Sequence, residues 1–319
     1  MVPSPEEQKN ESNLTANDAS STPEQSLAIS TENSTPTSMA DSKPRVWTVV
    51  VTSIVALLAY LFVSVVSTIV GFLIAGVDFR KPPSDYSNIV NKFADHPSAL
   101  LISIIPSHAA IILTVVMAAL ISSSPFTERL AIKFCSWPQW VTICAVLATP
   151  IFPLLFGPII SNFIPSNEYQ EMISRMVKSS STWLGPVLTG MCIAVVPAFS
   201  EEWFFRGYIQ TRLIQRMRPW LAILLTSVLF AAFHFSPIHA IMVLPIGLWL
   251  GFIAYRSGSI IPAMLGHGYN NSLSAFSALN EQISPVLEWS IVGVGVIGLL
   301  GTLYYLATTR KPTGNPVLD

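Results

Sequence analysis

The apolar run "VVPAFSEEWFFRGYI", residues 195–209, holds two adjacent carboxylates, Glu201 and Glu202, and one guanidinium, Arg206. A charge at the centre of a bilayer costs about 2.5–3.5 kcal/mol on insertion scales. Each of these groups must therefore pair, lose its charge or face a wet cavity. Glu202 and Arg206 stand four residues apart with the acid first, the favoured ion-pair order on a helix. Glu201 lies ~100° further round such a helix and has no local cation. A carboxylate without a cation in poorly solvated surroundings holds its proton more tightly. That is how a general base is poised near neutral pH.

Further along, "FAAFHF" ends an apolar helix on His234, and "GHGYNN" sets His267 and Asn271 four apart, on one helix face. Glu201 precedes the turn at Arg218-Pro219 by 17 residues to Arg218, and His234 follows Pro219 by 15. In an antiparallel hairpin both rise roughly 22–26 Å from the turn, to a common level. His267 sits nearer its own turn at Ser257-Gly258 and matches that level only if the 201–234 hairpin projects beyond the membrane. Together these residues could serve general-base chemistry. Structural readings stand beside this one: an ion pair for Glu202 and Arg206, satisfied core histidines, and an interhelical hydrogen bond for His267 with Asn271. Asn270 is three residues from His267 and also in reach. His96, His108 and His239 fit no such pattern and read as interfacial or packing residues. A zinc site of Glu201, His234 and His267 is chemically allowed, but the HExxH signature is absent, so no cofactor is favoured.

The strings "EEWFFR" (201–206), "FAAFH" (230–234) and "HGYNN" (267–271) resemble, in order, the EExxxR, FxxxH and HxxxN motifs of the CAAX protease and bacteriocin-processing (CPBP, or Abi) family. Its members are intramembrane glutamate endopeptidases related to the type II CAAX prenyl proteases. The resemblance covers about 183–280 and implies a protease core there. It implies that Glu201 and His234 activate water, that His267 and Asn271 form an oxyanion hole, and that Glu202 and Arg206 support the geometry. It further implies a peptide or protein substrate, membrane-associated or prenylated. The alternatives are a zinc-dependent form of the same protease, or a non-enzymatic membrane protein such as a transporter or a bacteriocin-immunity protein.

These residues need helices to hold them. The 319-residue chain is 51% hydrophobic and 11% charged, with mean hydropathy +0.55. Soluble domains carry roughly a quarter charged residues, so the composition predicts an all-α, polytopic transmembrane helix bundle. Apolar runs place about eight spans at 46–76, 98–122, 139–161, 183–208, 220–235, 238–256, 259–279 and 285–308. The fifth is short and the seventh the most polar. Pro150, Pro153 and Pro197 fall inside spans, where they kink helices. Gly247 and Gly251, spaced as GxxxG, predict close helix packing. Cys135, Cys144 and Cys192 show no disulfide spacing.

Residues 1–45, rich in Ser, Thr, Asn, Glu and Pro, read as a disordered N-terminal tail. Residues 46–310 form the transmembrane helical domain and 311–319 a short C-terminal tail. The stretch 166–181 is either an interfacial amphipathic helix or a solvated loop. Lys43, Arg45, Arg129, Lys133, Arg212, Arg216, Arg218, Arg256, Arg310 and Lys311 fall on one side of this topology. Only Arg80, Lys81, Lys92, Arg175 and Lys178 fall on the other. The positive-inside rule then puts both termini in the cytoplasm, and a bacterial inner membrane is the expected location. The net charge of −1 gives no support for nucleic-acid binding.

Overall fold

A computed structural model of the protein describes residues 46–80, 89, 92–93, 95–121, 125–161, 184–279 and 284–309. The tails expected over 1–45 and 311–319, and the amphipathic stretch 166–181, lie outside the described residues. Every regular element among the described residues is helical. In chain order these are α1 (Val46–Ile74), α2 (Pro97–Leu120), α3 (Phe126–Arg129), α4 (Gln139–Ala148), α5 (Ile151–Ser161) and α6 (Leu184–Glu202). A π-helical segment, Trp203–Gln210, runs on from α6 into α7 (Thr211–Ile214). Then follow α8 (Pro219–Ala232), α9 (Pro237–Ser257), α10 (Ile261–Leu279) and α11 (Pro285–Thr308).

Local chemistry sets these boundaries. Proline opens α2, α8, α9 and α11, where its missing N–H costs nothing. Ser236 and Ser284 cap α9 and α11 by accepting from the His239 and Leu287 amides. Gly258, at φ 66°, closes α9 in the left-handed conformation that suits glycine. Within the run expected as one span at 139–161 the helix is interrupted between α4 and α5 at Thr149-Pro150, where proline cannot donate to the helix ladder, and the stretch 139–156 is still long and apolar enough to cross a membrane.

Five helical stretches are long and apolar enough to cross a membrane: 46–74, 101–120, 139–156, 239–257 and 285–308. Pro219–Ala232 is a shorter apolar helix. The expected count of eight is therefore matched by five on length and composition among the described residues. The outward faces suit lipid. On α1, Leu58, Phe62 and Val65 are exposed at 61%, 71% and 60%, as apolar side chains facing hydrocarbon should be.

The helices pack as α1 on α2, α4 on α11, α8 on α9 and α6 on α10, with α2 also against α6. Aromatic rings fill the space under the π-helical segment. Phe205 meets Phe230 edge-on at 5.3 Å and Phe204 meets Phe205 at 4.8 Å. At one end of the bundle the 131–136 segment docks on the α9–α10 turn. There the Ile260 amide donates to the Ala131 carbonyl (3.1 Å) and Ser136 Oγ to the Ser257 carbonyl (3.0 Å). The basic residues Arg129, Lys133 and Arg256 thus gather at one end.

Candidate active site

Helix α6 delivers the two carboxylates at its last two positions, and the backbone then widens into the π-helical segment. Such segments occur often at functional sites. Glu201 is 8% exposed, while Glu202 and Arg206 are buried at 0% and 1%. Arg206 Nη1 donates to Glu202 Oε1 at 2.7 Å. A buried pair is costly to desolvate and holds only if further hydrogen bonds satisfy it. Two neighbours help here. Arg206 Nη2 donates to the Gly247 carbonyl at 2.9 Å, and the guanidinium lies 4.5 Å over the Phe230 ring.

The GxxxG pair on α9 makes the first contact possible. A Cβ at Gly247 would stand 3.1 Å from Phe230 Cδ1 and 3.6 Å from Arg206 Nη2. One turn on, Gln210 Nε2 donates to the Gly251 carbonyl at 2.8 Å, and a Cβ at Gly251 would come within 2.8 Å of Gln210 Oε1. The expected close packing is thus between α9 and the π-helical segment, through two parallel side-chain-to-backbone rungs.

The third motif comes from α10. His267 is 5% exposed. Its Nδ1 lies 3.0 Å from Glu202 Oε1, and its Nε2 lies 3.9 Å from Glu201 Oε2. The two glutamates therefore bracket one imidazole. The closer contact is a hydrogen bond; the longer is beyond hydrogen-bond range and close enough for charge attraction. A carboxylate only accepts, so His267 Nδ1 carries the proton. Asn271 Nδ2 points to the Ala194 carbonyl on α6 at 3.5 Å. Its Oδ1 accepts from Asn270 Nδ2 at 3.4 Å.

His234 is held by contacts of its own. Its Nδ1 donates to the Phe230 carbonyl at 2.9 Å, and its ring stacks on His239 at 4.7 Å. No hydrogen bond or ion pair joins His234 to Glu201 among the described residues. The Phe230 ring stands edge-on to both His234 (5.1 Å) and His267 (5.7 Å) and so spaces the two imidazoles. A neutral His234 with its proton on Nδ1 presents Nε2 as a lone pair. Phe235, directly after it, has φ 53°, an uncommon conformation for a bulky residue.

Two residues set aside as packing belong beside this site. His239 stacks on His234 as described. His108, on α2, is 6% exposed, and its Nδ1 lies 2.7 Å from the Oγ of Ser200, the neighbour of Glu201. No sequence pattern flagged His108, because its partner lies 92 residues away. A histidine inside an apolar span is the one signal that was there to read. Glu201, His234 and His267 form no group arranged to hold a metal among the described residues.

Residues 183–273 match the model of the Rce1-like type II CAAX prenyl endopeptidases. This stretch is a CAAX protease family domain. It takes in α6, the π-helical segment, α7, α8, α9 and most of α10, and so contains all six motif residues. No curated protein and no solved structure matches the chain significantly. The match over 183–273 supports a protease kind of function on a peptide or protein substrate, and the five membrane-capable helices support an integral membrane protein.

Proposed function

We propose that the chain is an intramembrane endopeptidase of the glutamate type, with Glu201 and His234 as the water-activating pair. The observation that carries this reading is the division of labour between the two glutamates. Glu202 is tied to Arg206 and His267, both at hydrogen-bond distance. Glu201, 8% exposed, holds no hydrogen bond to a cation, the nearest one being His267 Nε2 at 3.9 Å. A base must be free to take a proton, and Glu201 is the free one.

In this scheme Glu201 takes a proton from water as the water oxygen attacks the scissile carbonyl carbon. Nε2 of His234, an acceptor when Nδ1 holds the Phe230 carbonyl, orients that water. The carbonyl becomes an oxyanion facing His267 Nε2 and the Asn271 amide. His267 already donates from Nδ1 to Glu202, so donation from Nε2 as well requires the imidazolium form. The two flanking carboxylates balance that buried charge. The tetrahedral carbon then expels the amine, which leaves with the proton returned by Glu201. Water is consumed, the C–N bond is broken, and one acid and one amine result.

The family description points to prenylated, membrane-held peptides as the substrate class. The basic residues gathered at one end support cytoplasmic termini, and we place the protein in a bacterial inner membrane. The experiment is a comparison of membrane peptides between wild type and Glu201→Gln. Uncleaved precursors accumulate in the variant. Identical peptide sets in the two strains sink the proteolytic reading.

A further inference from the structure

Helix α6 is weakened one turn before its glutamates. Pro197 has no N–H, so the Ile193 carbonyl loses its usual helical donor. Ser200 bends the same turn further, because its hydroxyl turns back on the carbonyls of Val196 (3.0 Å) and Pro197 (3.2 Å). The turn that aims Glu201 therefore needs a tie from outside its own helix.

His108 supplies a contact at that point. Ser200 is fully buried, at 0% exposure, and its Oγ is 2.7 Å from His108 Nδ1. With its one proton on the Val196 carbonyl, which the 3.0 Å contact allows, the hydroxyl accepts from His108 and Nδ1 is the donor, the tautomer that the proposal below requires and its test reads. The ring is steadied from α1, where Tyr60 meets it edge-on at 5.8 Å. Helices α1 and α2 both lie outside the matched domain at 183–273.

We propose that His108 is a positioning residue of the active site, holding the Glu201 turn in its working orientation through the Nδ1–H to Ser200 Oγ bond. The role rests on the proteolytic reading of Glu201. It extends the working site from the family domain to the N-terminal helices. Pocket shape and helix packing alone would need only a side chain of the right volume at 108. Positioning needs a donor at the Nδ1 place.

The test separates those two requirements. His108→Leu fills the volume without a donor, and His108→Asn keeps an amide N–H where Nδ1 stood. In purified protein cleaving a fluorogenic membrane peptide, His108→Leu lowers kcat by about ten- to a hundredfold, with KM and melting temperature near wild type. His108→Asn recovers most of that loss. Ser200→Ala matches His108→Leu, and the double variant falls no further, because the two act through one bond. Should His108→Leu fail to fold, Ser200→Ala carries the same test, since alanine fits any helix. Wild-type kcat in His108→Leu or in Ser200→Ala, or equal impairment in His108→Asn and His108→Leu, overturns the proposal. A second readout needs no turnover: nitrogen NMR of labelled histidine finds the His108 proton on Nδ1, and a proton on Nε2 alone overturns the bond. If Glu201→Gln cleaves as well as wild type, it is the proteolytic reading that has failed, and the role of His108 in it falls too.

Discussion

Glu202 and His267 meet at 3.0 Å, Oε1 to Nδ1, and this one contact joins the first motif on α6 to the third on α10. The same oxygen holds Arg206 at 2.7 Å. Glu202 is thus the hub of a buried polar cluster, and Glu201 lies at its edge.

The hub makes a stability prediction. Glu202→Gln leaves the buried Arg206 cation without its carboxylate and costs about 3–5 kcal/mol, while Arg206→Met leaves Glu202 with His267 and costs less. The double variant Glu202→Gln/Arg206→Met costs clearly less than the two single losses added together, because no charge is stranded. Unfolding of each variant in detergent gives the comparison.

The oxyanion scheme separates two neighbouring asparagines. Asn271→Leu removes a donor and lowers kcat by about 10²–10³-fold with little change in KM. Asn270→Ala has a smaller effect, since Asn270 acts only by holding Asn271 Oδ1. Steady-state kinetics on both variants decides the order, and a larger loss for Asn270→Ala reverses the assignment.

Metal removal provides a third test. In the proposed scheme Glu201 and His234 activate the water, so chelator treatment and dialysis leave kcat unchanged, and elemental analysis of active protein finds no stoichiometric zinc. Loss of activity on chelation with recovery on added Zn²⁺ would favour the zinc-dependent form.

The glycines rank themselves by what a methyl group would strike. Gly298→Ala drives a Cβ to 2.5 Å from the Cys144 carbonyl and 3.1 Å from the Ala148 nitrogen, both backbone atoms that cannot turn aside. Gly251→Ala meets the far end of the Gln210 side chain at 2.8 Å, which can rotate. Gly298→Ala is therefore the more destabilising, by about 1–3 kcal/mol or more, seen as a lower melting temperature.

Much of this was legible in the sequence because it is local. The Glu202–Arg206 pair follows from a four-residue spacing, and the bounds of α11 from the apolar run at 285–308. What stayed hidden depends on contacts between distant segments. The π-helical segment has no spacing of its own to betray it. The 139–161 run looked continuous because apolar content does not reveal whether a proline bends a helix or ends it. His234 fitted a depth argument, but depth says nothing about direction, and the Phe230 carbonyl and the His239 ring fix where it points. His108 could be placed only by folding α2 against α6.

The two rungs from Arg206 to Gly247 and from Gln210 to Gly251 carry a mechanical consequence. They share one spacing, so a slide of α9 along the π-helical segment breaks both bonds together and leaves Arg206 Nη2 and Gln210 Nε2 buried without their acceptors. The seam behaves as a stator, the fixed wall against which other elements move.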